Sequence, residues 1–262
     1  MRTELVSEPG DPARPNEDFA SVALPASGPG GALVVLDGVT PPKGATGCLH
    51  SVPWFTARLG GALTEIAVSR RDLPLPEILS QAILRTAEVH RSSCDLSHPR
   101  TPQATVVLAR WSPETVDYLV LSDSALLLES PNGTVTPHLD DRLALLPRSA
   151  LATDALIDST IRNKEGGFFT AAADPTVAAR AVTGAVPRTD VRALAALTDG
   201  ATRWVERFRE GDWTDCFTYV RKEGAQALVE RVRELEQSDE RERQHLGRGK
   251  THDDATVVYA EL

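Results

Sequence analysis

The sequence predicts an α+β fold built on a mostly antiparallel sheet. Three observations carry this. Strand-like and helix-like segments come in runs (strands, two helices, strands, helices, a last strand) rather than as alternating βα units. Several strand candidates are joined by tight polar breaks, and Asn132-Gly133 is a strong hairpin signal. Five apolar runs each meet an acidic residue at one end, which places carboxylates at strand ends along the whole chain.

In order, Phe19 to Leu24 is short and partly alternating, and Ala32 to Leu36 is continuously apolar, as in a strand buried on both faces. Pro25 to Gly31 is the turn between them. Residues 52–69 carry Trp54, Phe55, Leu59, Leu63 and Ile66 at near-helical spacing, and residues 76–91 carry Ile78, Leu79, Ile83, Leu84 and Ala87. Pro74 and Pro76 separate these two helices, and Pro76 suits a first helical turn. Strands return at 104–111, 115–121 and 125–129, with Thr134 to Thr136 beyond the hairpin turn. Residues 141–163 read as a helix or an extended flap that Gly166-Gly167 breaks, and Asp174-Pro175 opens a short helix. Val191–Leu197 is another buried strand. A helix from near Asp199 carries Trp204, Val205 and Phe208, residues 223–244 form a long amphipathic helix, and 255–259 is the last strand. Trp54, Trp204, Phe208 and Trp213 read as packing residues. Without repeats or a linker, residues 1–262 are expected to form a single domain.

An apolar fraction of 41% and a charged fraction of 25% are ordinary for a globular protein. A formal charge of −9 argues against nucleic acid and against an anionic membrane surface as partners. Neither a transmembrane helix nor a signal peptide is expected, and three cysteines without framework spacing (Cys48, Cys94, Cys216) fit a reducing cytoplasm. Abundant Ala, Arg and Pro hint at a GC-rich bacterial genome.

The acids lie in Asn16-Glu17-Asp18, Asp37-Gly38, Ser122-Asp123-Ser124, Thr198-Asp199-Gly200 and Asp253-Asp254-Ala255-Thr256. Carboxylates at the ends of apolar strands are costly unless positive charge meets them. Convergence on hard cations such as Mg²⁺ or Mn²⁺ is the economical explanation, and metal-assisted hydrolysis the chemistry. Taken singly, each acid has a plainer reading as a turn or cap residue.

This motif set resembles the metal-dependent protein phosphatases of type 2C. The resemblance rests on Arg14-Pro15-Asn16-Glu17-Asp18, Asp37-Gly38, Ser122 to Ala125, Thr198-Asp199-Gly200 and Asp253 to Thr256, in family order over residues 14–258. It implies a four-layer αββα sandwich, a central β-sandwich flanked by helix pairs. It also implies hydrolysis of phosphoserine or phosphothreonine monoesters of a protein substrate by a water bridging two Mg²⁺ or Mn²⁺ ions. Asp37 would bridge the ions and Gly38 offer its carbonyl. Glu17 or Asp18, Asp199 and Asp253 would complete the shells, and Asp123 would hold a third ion with Asp199. Arg14 would grip the phosphate with its planar fork.

The chain departs from the family pattern at several places. Arg14 sits one residue closer to the acidic pair, Val39 to Lys43 replaces a Gly-rich, His-containing stretch, Ser122 replaces Gly, and Ala125 replaces Arg. The altered 39–43 loop and Ala125 support a second reading, a non-catalytic relative acting as a binding or regulatory protein. His50 follows the Asp-Gly loop and is the candidate general acid in place of the family histidine; its plainer reading is a surface or helix-start histidine. His90, Cys94 and His98 are spaced as one helix face that Cys48 and His50 could join, and these are zinc-ligand residue types. Ser92-Ser93 and Pro99 argue that the helix ends early, and there is no Cys-x-x-Cys pair, so buried thiols and ordinary histidines are expected.

Overall fold

The computed structural model describes residues 2–25, 29–243 and 252–262. Among these described residues, ten strands form two five-stranded antiparallel sheets. The first has the order β1 (Thr3–Glu8), β10 (Ala255–Glu261), β9 (Ala193–Leu197), β6 (Ala125–Glu129), β7 (Val135–His138). The second runs β2 (Phe19–Ala23), β3 (Gly31–Leu36), β4 (Val106–Trp111), β5 (Thr115–Leu121), β8 (Val182–Pro187).

Strand alternation sorts the apolar residues into three cores. Leu33, Val35 and Val107 of one sheet meet Leu126, Leu194 and Val258 of the other, which makes the inner layer of a sandwich. The opposite faces of β3 and β4 (Val34, Leu36, Val106, Leu108) pack under α1 (Val52–Ser69) and α2 (Leu75–His90). The outer face of the other sheet packs under α4 (Asp199–Glu206), α5 (Trp213–Glu223) and α6 (Ala225–Arg243), through Trp204, Phe217, Leu228 and Tyr259. The four-layer αββα expectation is met.

Several elements differ from the sequence reading. β1 and β8 are additional edge strands. The segment read as one helix from 223 starts at Ala225, and α5 precedes it as a separate helix. A capping box between Asp212 and Asp215 starts α5. The 141–163 segment is no continuous helix. It holds short turns at 148–151, α3 (Asp154–Leu156) and a wide turn at 157–161. Asp174 does cap the short helix at 175–180, accepting from the Thr176 amide. No described helix is long and apolar enough to cross a membrane.

Register explains why the acids meet. In the second sheet Phe19 pairs with Leu36, and Val106 with Leu121, so Asp18, Asp37 and Asp123 leave the sheet at one end. In the first sheet Leu197 pairs with both Val257 and Ala125, so Asp199 and Asp253 leave at the matching end.

Candidate metal centre

At this shared end of the sandwich Asp37, Asp123, Asp199 and Asp253 line one cleft of about 360 Å³ with Gly38 and Arg162. The carboxylates are partly open to the cleft, yet crowded. Burial pushes Asp37 well above the usual carboxylate range, and the charges of Asp199, Asp18, Asp123 and Asp253 push it further. Burial, then Asp253 and Asp123, raise Asp199 to about 8 against the opposing pull of Arg203. Burial also raises Asp123. Mutual repulsion of this kind identifies the acids as one electrostatic unit.

Asp18 sits behind them. Burial raises it to about 7, although Thr256 (2.6 Å) and Thr198 (2.9 Å) both donate to its Oδ2. Its Oδ1 is buried and accepts no hydrogen bond among the described residues. An orphaned carboxylate oxygen is costly, and an all-oxygen donor set of this charge fits hard divalent cations. The residues therefore fit the metal pair that the sequence implies, with Asp37, Asp123, Asp199 and Asp253 sharing the cleft and Asp18 electrostatically coupled to Asp37.

The backbone holds these donors by close packing. The Asp37 amide donates to Thr105 Oγ1 (3.2 Å), and the Thr105 amide donates to the Asp37 carbonyl (2.9 Å). A Cβ on Gly38 would lie 2.4 Å from both the Glu17 carbonyl oxygen and Val52 Cγ1, so only glycine fits. Ser122 adopts φ +69°, the left-handed conformation that glycine favours, where the family pattern has glycine. Its amide is held by Asp140 (2.8 Å), and its hydroxyl donates to Asp123 (3.0 Å).

Three candidates are placed differently from the sequence reading. Glu17 accepts from Thr40 and lines a neighbouring cleft of about 580 Å³ that shares Asp253 with the first. Of the Glu17-or-Asp18 pair, it is Asp18 that joins the buried acids. Arg14 lines the same neighbouring cleft, but its side chain is 72% exposed and pairs loosely with Asp11 at 3.8 Å. His50 turns away from the acids: its ring stacks on Trp54 (3.9 Å between centroids) and its Nδ1 lies 3.4 Å from Cys94 Sγ. That placement removes it as general acid, because its ring is committed to a separate cluster.

Two contributors escaped the sequence reading. Arg162, on the segment after β7, reaches the acid cleft with a side chain only 17% exposed. Burial lowers its pKa, with Asp158 and Asp123 opposing, but a guanidinium stays charged. The only sequence signal was an arginine just before the Gly166-Gly167 break. Asp254 accepts from the amides of Gly10 (2.8 Å) and Glu17 (2.6 Å), so it ties the 10–17 loop to β10.

No family model matches the sequence, and no curated protein does. Solved structures match over nearly the whole chain. Serine/threonine phosphatase Stp1 from Staphylococcus aureus superposes with a TM-score of 0.65 at 13% identity, covering 100% of this chain and 95% of that one. The chain has the fold of these phosphatases. The Mycobacterium tuberculosis serine/threonine phosphatase PstP/Ppp matches at 0.59 and 16% identity, with 100% and 98% covered. The catalytic domain of PstP in complex with two manganese ions matches at 0.57 and 17% identity, with 99% and 97% covered.

Proposed function

We propose that the protein is a bacterial, cytoplasmic serine/threonine protein phosphatase, a single catalytic domain that hydrolyses phosphoserine or phosphothreonine monoesters with two Mg²⁺ or Mn²⁺ ions. The observation that carries this is the convergence of Asp18, Asp37, Asp199 and Asp253 at one end of the sandwich, with an orphaned oxygen on Asp18. The manganese in the PstP structure, on the same fold, supports it. Three free cysteines support the cytoplasmic setting.

In this reading Asp37, Asp199 and Asp253, with the Gly38 carbonyl and Asp18, would hold the ion pair, and Asp123 would help to hold a third, weaker ion. When bound, the ions supply an acidified water as nucleophile and offset the phosphate's negative charge. The protein's own residues do the rest. Thr198 and Thr256 fix the Asp18 carboxylate, and Thr105 fixes the backbone of Asp37. Arg162 offers a fixed cation for phosphate oxygens in the same cleft, with Arg14 at the rim of the neighbouring one. Phe168 lies under the Arg162 guanidinium at 5.2 Å and limits its swing.

The second reading, a non-catalytic binding or regulatory relative, draws on Ala125 and the altered 39–43 loop. Turnover of a phosphothreonine peptide and of p-nitrophenyl phosphate by purified protein decides between them. Mn²⁺-dependent hydrolysis, abolished by Asp37→Asn, is the expected result. Manganese binding without turnover would favour the regulatory reading.

A further inference from the structure

Away from the acids, four side chains that the proposed reaction does not use converge between α1 and the end of α2. Cys48 Sγ lies 3.4 Å from His90 Nδ1, 3.6 Å from His50 Nδ1 and 3.1 Å from Cys94 Sγ. Cys94 Sγ lies 3.4 Å from His50 Nδ1, and one ligand atom from each of the four residues falls within 4.8 Å of all the others. The helix does end early, as Ser92-Ser93 suggested: α2 stops at His90. The following turn nevertheless folds Cys94 back onto His90. His98, the third residue of the expected face, points elsewhere, and its Nδ1 accepts from the Arg100 amide.

We propose that Cys48, His50, His90 and Cys94 form a structural zinc site. A tetrahedral zinc holds sulfur and nitrogen ligands about 3.5 Å apart and two sulfurs about 3.8 Å apart. Three of the four sulfur–nitrogen separations already lie at 3.4–3.6 Å, the fourth is within 4.8 Å, and the sulfurs need to part by about 0.7 Å. At 3.1 Å they are well beyond the roughly 2.05 Å of a disulfide. Two thiolates and two imidazoles suit zinc and not the hard cations of the acid cleft. Four protein ligands close the tetrahedron, which makes the site structural rather than catalytic.

The surroundings are those a thiolate needs. The backbone amides of His50 and Leu49 donate to Cys48 Sγ and Cys94 Sγ, each at 3.4 Å, so both sulfurs receive partial positive charge. His90 is 2% exposed, and Trp54 packs on both imidazoles, which fixes ring orientation. The loop backbones are already joined: the Asp95 amide donates to the Gly47 carbonyl at 2.7 Å. Gly47 takes φ +73°, and a Cβ there would strike His98 Cβ at 2.4 Å, so the approach of the loops depends on glycine. Bound zinc would clamp the segment following Asp37-Gly38 to the end of α2.

The test is metal content of the full-length protein, purified without chelator under reducing conditions from zinc-supplied cells. One zinc per chain, surviving desalting, is expected. Cys48→Ser and Cys94→Ser should each lower it at least tenfold, while Asp37→Asn should keep it, which separates this site from the phosphatase centre. Because a cysteine variant can fail to fold, cobalt-loaded wild type supplies a second measurement: thiolate-to-cobalt charge-transfer absorption with tetrahedral d–d bands. Zinc below about a tenth of an equivalent in wild type, another metal in its place, or a Cys48–Cys94 disulfide by intact mass overturns the proposal.

Discussion

Gly38 and Glu17 touch through backbone: the Cβ that Gly38 lacks would lie 2.4 Å from the Glu17 carbonyl oxygen. Their contact seats the end of β3 against the residues leading into β2, and so holds Asp37 near Asp18. Gly38→Ala must force the two apart. An overpacked site of this kind costs about 1–3 kcal/mol, a fall in Tm of roughly 2–10 °C at this chain length. Mn²⁺-dependent phosphatase activity should drop at least tenfold. Thermal melting and turnover check both, and wild-type values in the two assays would mean that the loop yields freely.

Removing charge from the centre should separate metal binding from folding. Asp37→Asn is expected to lose activity by orders of magnitude and to need more Mn²⁺, yet in the presence of chelator it should melt no lower than wild type, because it relieves repulsion from Asp199, Asp18 and Asp123. Asp199→Ala and Asp253→Ala should each weaken Mn²⁺ binding strongly in calorimetric titration. Asp123→Ala should weaken it mildly. Equal affinity and stoichiometry in all four variants would contradict the assigned roles.

Chelated protein should lose stability as the solution becomes alkaline. Asp18 (about 7) and Asp199 (about 8) hold protons in the folded state at pH values where the unfolded chain has released them. Stability from these groups is therefore full below the unfolded value near 3.8 and lost as pH rises through about 7 and about 8. The Tm of metal-free protein should fall by several degrees from about pH 6 to about pH 8.5, and the slope should shrink in Asp199→Asn. Saturating Mn²⁺ should raise Tm most at the alkaline end, since binding needs the deprotonated acids. A pH-independent Tm in chelator would count against the crowding of these carboxylates.

Exposure ranks the two candidate phosphate cations. Arg162 is 17% exposed and faces the acid cleft, whereas Arg14 is 72% exposed. A charged hydrogen bond contributes about 1.5–3 kcal/mol, so Arg162→Ala should raise KM for p-nitrophenyl phosphate about tenfold to a hundredfold with less change in kcat. Arg162→Lys should restore only part of it. Arg14→Ala should change KM less than about threefold, for want of a desolvated contact. The reverse ranking in steady-state kinetics would move the phosphate toward the cleft that Arg14 lines.

What was legible in the sequence tracks burial. The apolar runs of β3, β5, β9 and β10 lie inside the sheets, and their hydrophobicity marks both the strands and the acids at their ends. β1 and β8 are edge strands with polar or Gly/Pro-containing sequences (Thr3–Glu8, Val182–Pro187), for which half-burial leaves little pattern. Arg162 went unseen because its position depends on short turns, not on any periodic element. Helical spacing alone does not reveal the Cys/His cluster, because the helix ends before Cys94. The cluster's ligands come from a loop (Cys48, His50), the last residue of α2 (His90) and the turn after it (Cys94), which tertiary contact brings together.

The antiparallel pairing of β1 with β10 carries a consequence for biosynthesis. Thr3 lies opposite Ala260, and among the described strands β1 has no other partner in its sheet, so its pairing waits until the chain has been made through residue 261. Asp253 arrives just ahead of that strand. A ribosome-bound nascent chain can therefore dock α1 and α2 on the second sheet early, but it cannot assemble the full set of acids. Contacts between residues this far apart in sequence also make folding slow. Assembly of the first sheet would then wait for β10, and a truncated product lacking it would leave β1 without a strand partner even with most of its core in place.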